Sequence, residues 1–482
     1  MVEGERDSLG NFIYASPDGN GSTTEVSAST EDLRGYKVGF PHQEVQHLRV
    51  LNNNYFILRK GSINLDLGYQ NNKRQEFGDV LNPADKALFF DLNTFNYNLR
   101  YNFSEIKGWE TSLGISGMQQ ESTNKGLEFL IPEYSLFDIG SFVFSQKTFN
   151  KLTFAGGVRF DTRIISSEKL ILDSLGAPIN TEDNTTELKF KELKKMYSSY
   201  SGSIGLSYQI NKKSTLKFNL SRGFRAANIS EIASNGRHEG TLRFEYGTPE
   251  LKPELSHQID LAYFINSDHV TFEFTPFTNL ISNYIFSEKL TSTSGGDSIP
   301  DLLDPAPAYK FAQANATLIG GEIYLDVHPH PFDWLHIENS LSYVQATQNK
   351  QSDSTKYLPF IPAAKYRGEL KAQFNKLGKN LSSAYIKFAL DYYFAQNKFF
   401  SAYSTETATP SYTLLSAGLG ANLKAYKRSD FMSIYLSVEN LADCAYQSHL
   451  SRLKYAAQNP LTGRNGVFNM GRNISLKVIF NL

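Results

Sequence analysis

The sequence predicts an all-β protein, an antiparallel transmembrane β-barrel with about 17 strands. Three observations support this fold class. Apolar and polar residues alternate along many short segments, short and long connections take turns between those segments, and the chain ends on an alternating apolar strand. Together they favour an outer-membrane barrel over a soluble all-β fold.

Alternation with a period of two is the first observation. Phe154, Val158 and Phe160 fall on one face of their segment, whereas Arg159 and Asp161 fall on the other. Successive side chains of a strand point to opposite faces, so each such segment has one apolar and one polar face. A soluble sandwich has the same pattern, and alternation alone therefore leaves both fold classes open.

Connection length is the second observation. Tight turns are predicted at 149–151, 211–213, 266–268 and 427–429. Long polar segments are predicted at 164–195, 224–252, 286–309, 348–359 and 446–468. Outer-membrane barrels alternate short periplasmic turns with long extracellular loops, so the connections indicate a membrane barrel.

The chain end is the third observation. Apolar residues occupy every second position from Ile474 to Leu482, which predicts a last strand with a lipid-facing row. Counted back from this strand, the predicted strands lie at about 469–482, 430–445, 410–425, 383–397, 360–375, 333–347, 310–326, 268–285, 253–265, 212–223, 196–209, 150–163, 139–149, 107–120, 87–103, 60–73 and 45–57.

Composition excludes several function classes. Lys and Arg total 48 against 49 Asp and Glu, so there is no basic excess for nucleic acid. Cys444 is the only cysteine, which excludes an internal disulfide. We find no nucleophile elbow and no phosphate-binding loop, and the sequence therefore predicts that the protein is not an enzyme.

Three motifs then stand out. The first is SRGFRAANISEI at 221–232, continued by FEYGTPELKPELS at 244–256. The second is VENLADCAY at 438–446, followed by GVFNMGRN at 466–473, and the third is GYQNNKRQEF at 68–77. In this order they resemble the barrel of TonB-dependent outer-membrane receptors over roughly 42–482.

The resemblance implies a particular domain organisation. Such receptors have a 22-stranded barrel preceded by a signal peptide, a TonB-contacting box and a plug, and none of these is found ahead of Phe40. We therefore expect residues 1–44 to be a remnant of an extracellular loop and residues 45–482 to be the C-terminal part of the barrel. About five strands would be absent, and a sheet with two open edges is expected to aggregate when expressed alone.

The resemblance also implies a function for the complete protein. We expect a receptor and transporter of the Gram-negative outer membrane for an iron chelate, with a ferric siderophore as the first choice of cargo. A haem or zinc receptor, a passive channel or glycan-uptake barrel, and a structural barrel without cargo remain as alternatives. The expected partners are the TonB energy-transducing complex, outer-membrane lipid and a small metal-chelate ligand, with no resident cofactor.

His238 is the first candidate site residue. It lies between the two halves of the first motif, where haem receptors of this family place an axial histidine, and a neutral imidazole suits haem iron or zinc. Ala227 and the segment 247–251 depart from the haem-receptor pattern, so an ordinary loop histidine stays open as the alternative.

The other candidates are charged or in outer loops. Arg225 with Glu231 lies near a strand exit, where an arginine can hold a carboxylate or phosphate cargo or pair with acids of the wall. His449 and Arg452 lie in the last outer loop and are candidates for ligand contact. His328 and His330 lie one residue apart in a predicted periplasmic turn, and we assign them no metal role.

Overall fold

The computed structural model describes residues 5–36, 38–39, 41–238, 243–302, 305–349, 351–425 and 428–480. Its strands are β1 (Ile13–Pro17), β2 (Thr23–Ser27), β3 (His42–Leu58), β4 (Gly61–Phe77), β5 (Leu88–Phe103), β6 (Trp109–Asn124), β7 (Tyr134–Phe149), β8 (Leu152–Ser167), β9 (Leu170–Leu172), β10 (Pro178–Ile179), β11 (Glu187–Phe190), β12 (Leu193–Asn211), β13 (Ser214–Arg225), β14 (Asn235–His238), β15 (Arg243–Tyr246), β16 (Glu254–Asn266), β17 (Val270–Lys289), β18 (Ala308–Val327), β19 (Leu335–Gln348), β20 (Lys365–Leu377), β21 (Leu381–Tyr393), β22 (Tyr412–Ala425), β23 (Arg428–Glu439) and β24 (Asn473–Phe480). The α-helices are α1 (Thr30–Arg34) and α2 (Ile229–Ala233), and single 3-10 turns lie at Ala402–Ser404 and Arg452–Tyr455.

The long strands form one large antiparallel sheet in chain order. They are β3 to β8, β12, β13 and β16 to β24, and each corresponds to one of the 17 predicted strands. Pairing is continuous over long stretches: β3 and β4 stay in register from His42 opposite Phe77 to Leu58 opposite Gly61. The prediction of an antiparallel barrel is confirmed.

The joint between the first and last long strands differs from the others. The strand order is that of a closed barrel, with β24 next to β3, so the expectation of a sheet with two open edges is wrong. Among the described residues, every other neighbouring pair of long strands has a residue-by-residue antiparallel register, whereas this pair has none. All residues of β24 and all but two of β3 are exposed. Within the described residues, the seam between β24 and β3 therefore has the least backbone pairing of any joint in the sheet.

Connections alternate between short and long, as predicted. The short ones with described residues are 59–60, 104–108, 150–151, 212–213, 267–269, 328–334 and 378–380. The long ones are 78–87, 125–133, 168–192, 226–253, 290–307, 349–364, 394–411 and 440–472. The turn predicted at 427–429 begins at Lys427, which lies outside the described residues. All short turns lie at one end of the sheet, which by the rule for outer-membrane barrels is the periplasmic end.

The two faces of the sheet carry opposite chemistry. Leu206, Phe218 and Leu261 are exposed on the outer face, as expected for a surface in contact with lipid. The inner face carries ion pairs, and Arg163 binds both carboxylate oxygens of Asp138 at 2.8 and 2.6 Å. The predicted alternation thus places apolar side chains outside and charged side chains in the lumen.

Both tryptophans lie at the periplasmic end. Trp109 begins β6 and packs edge-on against Phe149, with ring centroids 6.2 Å apart. Trp334 precedes β19 and stacks on Phe374 at 5.4 Å. Aromatic rings at the end of a membrane strand are typical of the interfacial girdle.

The helices are short and lie in segments that do not pair into the barrel sheet. Ser29 caps α1 and Asn228 caps α2, each in a reciprocal capping box with the acidic residue three positions later. Across the described parts of the chain, no helix has both the length and the apolar character needed to cross a membrane.

Predicted and observed strand ends differ most near the second motif. The sequence predicts a strand to residue 445, whereas β23 ends at Glu439. Asn440 has a φ of 48° and Asp443 a φ of 54°, a left-handed conformation that breaks the ladder. Ala442 is in phase with the alternating apolar residues Ile434, Leu436 and Val438, but the chain has left the strand before it reaches this position.

Candidate functional site

The base of loop 226–253 is held by one arginine between two acids. Arg225 ends β13 and faces Glu254, the first residue of β16. Its guanidinium donates two hydrogen bonds of 2.7 Å to the carboxylate of Glu254, and its Nη1 donates to Glu231 at 2.9 and 3.0 Å. The two halves of the first motif therefore meet at Arg225, whose donors are used by the protein itself.

Glu231 has a second role in the same ion-pair network. It is buried and accepts a hydrogen bond of 2.9 Å from the backbone of Asn228, which closes the capping box of α2. Around it lies an apolar cluster beneath the loop: Leu136, Ile165, Leu193, Tyr197, Ala226, Ala227, Ile229, Ile232, Leu251 and Ile285. The first motif thus fixes the loop on the outer rim of the wall.

Gly247 and Thr248 fasten the returning side of this loop to α2 and to the barrel wall. A Cβ atom on Gly247 would lie 2.3 Å from the backbone nitrogen of Ala233, so only glycine fits against α2. The backbone N–H of Thr248 donates to the carbonyl of Glu231 at 2.8 Å, and its hydroxyl donates to the carbonyl of Phe311 at 2.6 Å.

Loop 440–472 is tied at its base by a different set of bonds. The side chain of Asn440 donates to the carbonyl of Cys444 at 2.9 Å and accepts from its N–H at 2.8 Å. Asp443 accepts from the backbone N–H of Arg472 at 2.8 Å, and Arg472 in turn donates to the carbonyl of Leu441 at 2.9 Å. The second motif is therefore a structural closure of the last long loop.

A buried polar group joins the outer loops to one another. His449 is buried; its Nδ1 lies 2.8 Å from the hydroxyl of Thr409 and its Nε2 lies 3.4 Å from Glu406. Lys454, also buried, donates to Thr409 at 3.0 Å. Glu406 accepts from the backbone of Phe360 at 3.0 Å. His449 thus lies inside the loop layer and offers no exposed face to a ligand.

Arg452 differs from His449 because it remains open to solvent. Its guanidinium lies 5.6 Å from the ring centroid of Phe360, and no carboxylate pairs with it among the described residues. The surrounding loops shield part of this exposed side chain, and that partial desolvation, followed by the positive charge of Arg243, lowers the pKa of Arg452. Arg243 itself donates to Glu245 at 2.6 Å and lies 5.1 Å from the ring centroid of Tyr309.

These four residues form what we call the arginine patch: Arg243, Tyr309, Phe360 and Arg452. They come from loop 226–253, the start of β18, and the loops 349–364 and 440–472. Arg243 is already paired with Glu245, so the guanidinium group of Arg452 next to Phe360 is the one that suits a planar anionic ligand. Arginine binds carboxylates in bidentate fashion and stacks on rings. The sequence pointed to Arg452 but missed Arg243, which becomes its neighbour only through folding.

His238 occupies the end of β14, opposite Arg243 of β15. It is half-buried, and the Glu239-Gly240-Thr241 stretch that follows it lies outside the described residues. The structure therefore places His238 near the arginine patch through its partner strand. A metal role for His238 stays a prediction.

The class of protein follows from this geometry. An antiparallel barrel with apolar side chains outside, ion pairs inside, short turns at one end and long loops at the other is an integral outer-membrane β-barrel. The family model "TonB dependent receptor-like, beta-barrel" matches residues 5–441, and the chain belongs to that family. Its members are receptors of the Gram-negative outer membrane and not enzymes.

Solved structures of this fold come from receptors with different cargoes. The copper transporter OprC aligns with a TM-score of 0.70 and 14% identity over 91% of this chain. The ferric yersiniabactin uptake receptor FyuA from Yersinia pestis gives 0.60 and 13% over 91%, and a double mutant of the Serratia marcescens hemophore receptor HasR, in complex with its hemophore HasA and heme, gives 0.61 and 13% over 91%. At such identities the likeness shows the fold alone.

The chain is shorter than these relatives. It spans 65% of the OprC chain, 61% of FyuA and 66% of HasR, which is less than two thirds of each. A search of curated protein sequences found no match.

Proposed function

We propose that the complete protein is a TonB-dependent transporter that binds a metal chelate at its outer loops, with a ferric siderophore as the first candidate cargo. The observation that carries the cargo class is the arginine patch, where Arg452 has no described carboxylate partner and lies over Phe360. Negatively charged chelates with planar groups match the guanidinium group of Arg452 and the aromatic faces of Phe360 and Tyr309, whereas the charge of Arg243 is balanced by Glu245. Energy would come from the TonB complex, the expected partner of this family.

A binding measurement with a matched pair of variants tests the cargo. Arg452→Ala should weaken binding of an anionic ferric siderophore at least about 10-fold, because a charge-assisted hydrogen bond contributes roughly 1.5–3 kcal/mol. Arg464→Ala is the control: Arg464 lies in the same loop, 5.3 Å from the ring centroid of Phe468. Isothermal titration calorimetry on the detergent-solubilised protein gives both affinities, and equal affinities would contradict the role of the arginine patch.

Haem is the second candidate, supported by the position of His238 in β14. If His238 binds haem iron, hemin added to the protein should show a shifted Soret band that His238→Ala abolishes. The same spectrum from wild type and variant would remove this cargo.

A passive channel is the alternative from another class. Planar-bilayer conductance of the complete protein separates the two, because a gated receptor should be nearly silent while a channel conducts. Deletion of the gene followed by growth on single iron sources then tests transport. Unchanged growth on every iron chelate and on haem would contradict an iron cargo.

A further inference from the structure

Three metal-ligating side chains meet at the periplasmic end of the barrel, far along the wall from the arginine patch. They are Asp326 of β18, His328 just after it and His336 of β19, and one ligand atom from each lies within 4.8 Å of the others. Nε2 of His328 lies 2.5 Å from Oδ2 of Asp326, and Nδ1 of His336 lies 3.2 Å from the same oxygen. The two imidazole centroids are 4.2 Å apart.

Strand register brings the three together. Asp326 faces Glu338 across the β18–β19 ladder, and His336 lies two residues before Glu338 on the same face. The turn 328–334 returns the chain, so His328 folds back over the end of the ladder. His330, which neighbours His328 in sequence, instead lies against His269 at 5.5 Å between centroids.

The carboxylate has unused capacity. The Asp326 side chain is 9% exposed, and among the described residues no hydrogen-bond donor reaches its buried Oδ1. A buried acceptor without a partner costs free energy comparable to a lost hydrogen bond. A cation bound by both carboxylate oxygens, next to the two imidazole nitrogens that face Oδ2, would satisfy it.

The surroundings favour a cation as well. Glu338 faces Asp326 in the register, whereas the basic residue opposite His336 is Lys371. The ammonium of Lys371 lies 5.9 Å from the centroid of the Tyr385 ring on the next strand. Asp326 and Glu338 thus lie side by side on the lumen wall, and the basic residue next to His336 is Lys371.

We propose that Asp326, His328 and His336 bind one divalent transition-metal ion at the periplasmic mouth. Two imidazole nitrogens and one carboxylate form a ligand set suited to Zn²⁺, Co²⁺, Ni²⁺ or Cu²⁺, with the remaining coordination positions open to water in the lumen. Each ring would bind through the nitrogen that now faces Asp326 and keep its proton on the other nitrogen. The site goes beyond the proposed transport function and does not depend on any cargo.

Co²⁺ is the probe for the first experiment. The full chain, folded in detergent and stripped of metal with a chelator, is titrated with Co²⁺ while its visible d–d absorption is recorded. We expect bands of a four- or five-coordinate ion that saturate at one equivalent and vanish when Zn²⁺ is added. A folded protein that gives only the spectrum of aqueous Co²⁺ would overturn the proposal.

Variants then assign the ligands. Asp326→Asn, His328→Gln and His336→Gln should each weaken Co²⁺ binding at least about 10-fold, since even outer-shell changes cost 10- to 100-fold. The matched controls are His269→Gln and Asp333→Asn, an exposed pair 3.5 Å apart at the same end of the barrel. Controls that lose binding equally, or ligand variants that keep it, would contradict the assignment.

Folding of each variant is checked by gel electrophoresis, because a folded barrel changes its mobility when the sample is heated. X-ray absorption of the Zn²⁺-loaded wild-type protein provides an answer that needs no variant. Multiple scattering from two imidazoles supports the site, and its absence rejects it.

Discussion

The two motif-bearing loops, 226–253 and 440–472, close in different ways. The first is held by an ion-pair network, in which Arg225 binds Glu231 and Glu254, above an apolar cluster. The second is held by bonds between polar side chains and backbone groups at Asn440 and Asp443. Charge and burial secure one loop, whereas local backbone geometry secures the other.

This difference separates anchoring from recognition. In both loops the residues that carry the family resemblance lie at the base and are used for closure, while Arg243 and Arg452 lie farther along the loops. The motifs therefore report the family and not the cargo. The following substitutions test the comparison in order of decreasing effect.

The largest effect is expected for Arg225→Ala. It leaves Glu231 and Glu254, whose side chains are only 11% and 13% exposed, without their cation. Because Arg225 itself is partly open to solvent, we expect the free energy of unfolding to fall by about 3 kcal/mol, the lower end of the range for broken buried ion pairs. Guanidinium unfolding in detergent measures it. Glu250→Ala, at an exposed position of the same loop, should stay within about 0.5 kcal/mol.

Gly247→Ala should cost about 2 kcal/mol, because the new methyl group meets the backbone of α2 and forces the loop outward. Gly296→Ala serves as its control. There the nearest atom to an added Cβ is 3.8 Å away, so the free energy of unfolding should be unchanged or slightly higher. If both glycines tolerate alanine equally, close packing of the returning segment at Gly247 on α2 is not what holds loop 226–253.

Asn440 allows the smallest and most specific test. Asn440→Gly keeps access to the φ of 48° but removes the two bonds to Cys444, for a loss of about 1 kcal/mol. Asn440→Ala also imposes left-handed strain and should lose about 2 kcal/mol. The same unfolding titration compares them, and equal losses would mean that backbone geometry contributes nothing to the closure.

Most of the wall could be predicted because each strand carries its own signal. Leu216, Phe218 and Leu220 alternate with polar residues, and the lipid-facing row needs no knowledge of neighbouring strands. The ends of strands were harder, since a single left-handed residue such as Asn440 stops a ladder that the hydrophobic pattern would continue.

The sites were less predictable because they depend on register between strands. His449 looks like an exposed loop histidine in sequence, yet Thr409 and Glu406 of another loop bury it. The Asp326–His328–His336 group joins residues two and ten positions apart, a spacing that means little until β18 and β19 are paired. An aspartate and a histidine two residues apart, followed by a turn and a second histidine, is the signal that would have found it.

The shared location of Trp109 and Trp334 has a spectroscopic consequence. The chain has only these 2 tryptophans, and both lie at the periplasmic girdle. Intrinsic tryptophan fluorescence therefore reports on the periplasmic interface of the bilayer and not on the outer one. Lipids brominated near the headgroup should quench this fluorescence more strongly than lipids brominated near the bilayer centre. Tryptophan fluorescence therefore reports how deeply the periplasmic end of the barrel is inserted.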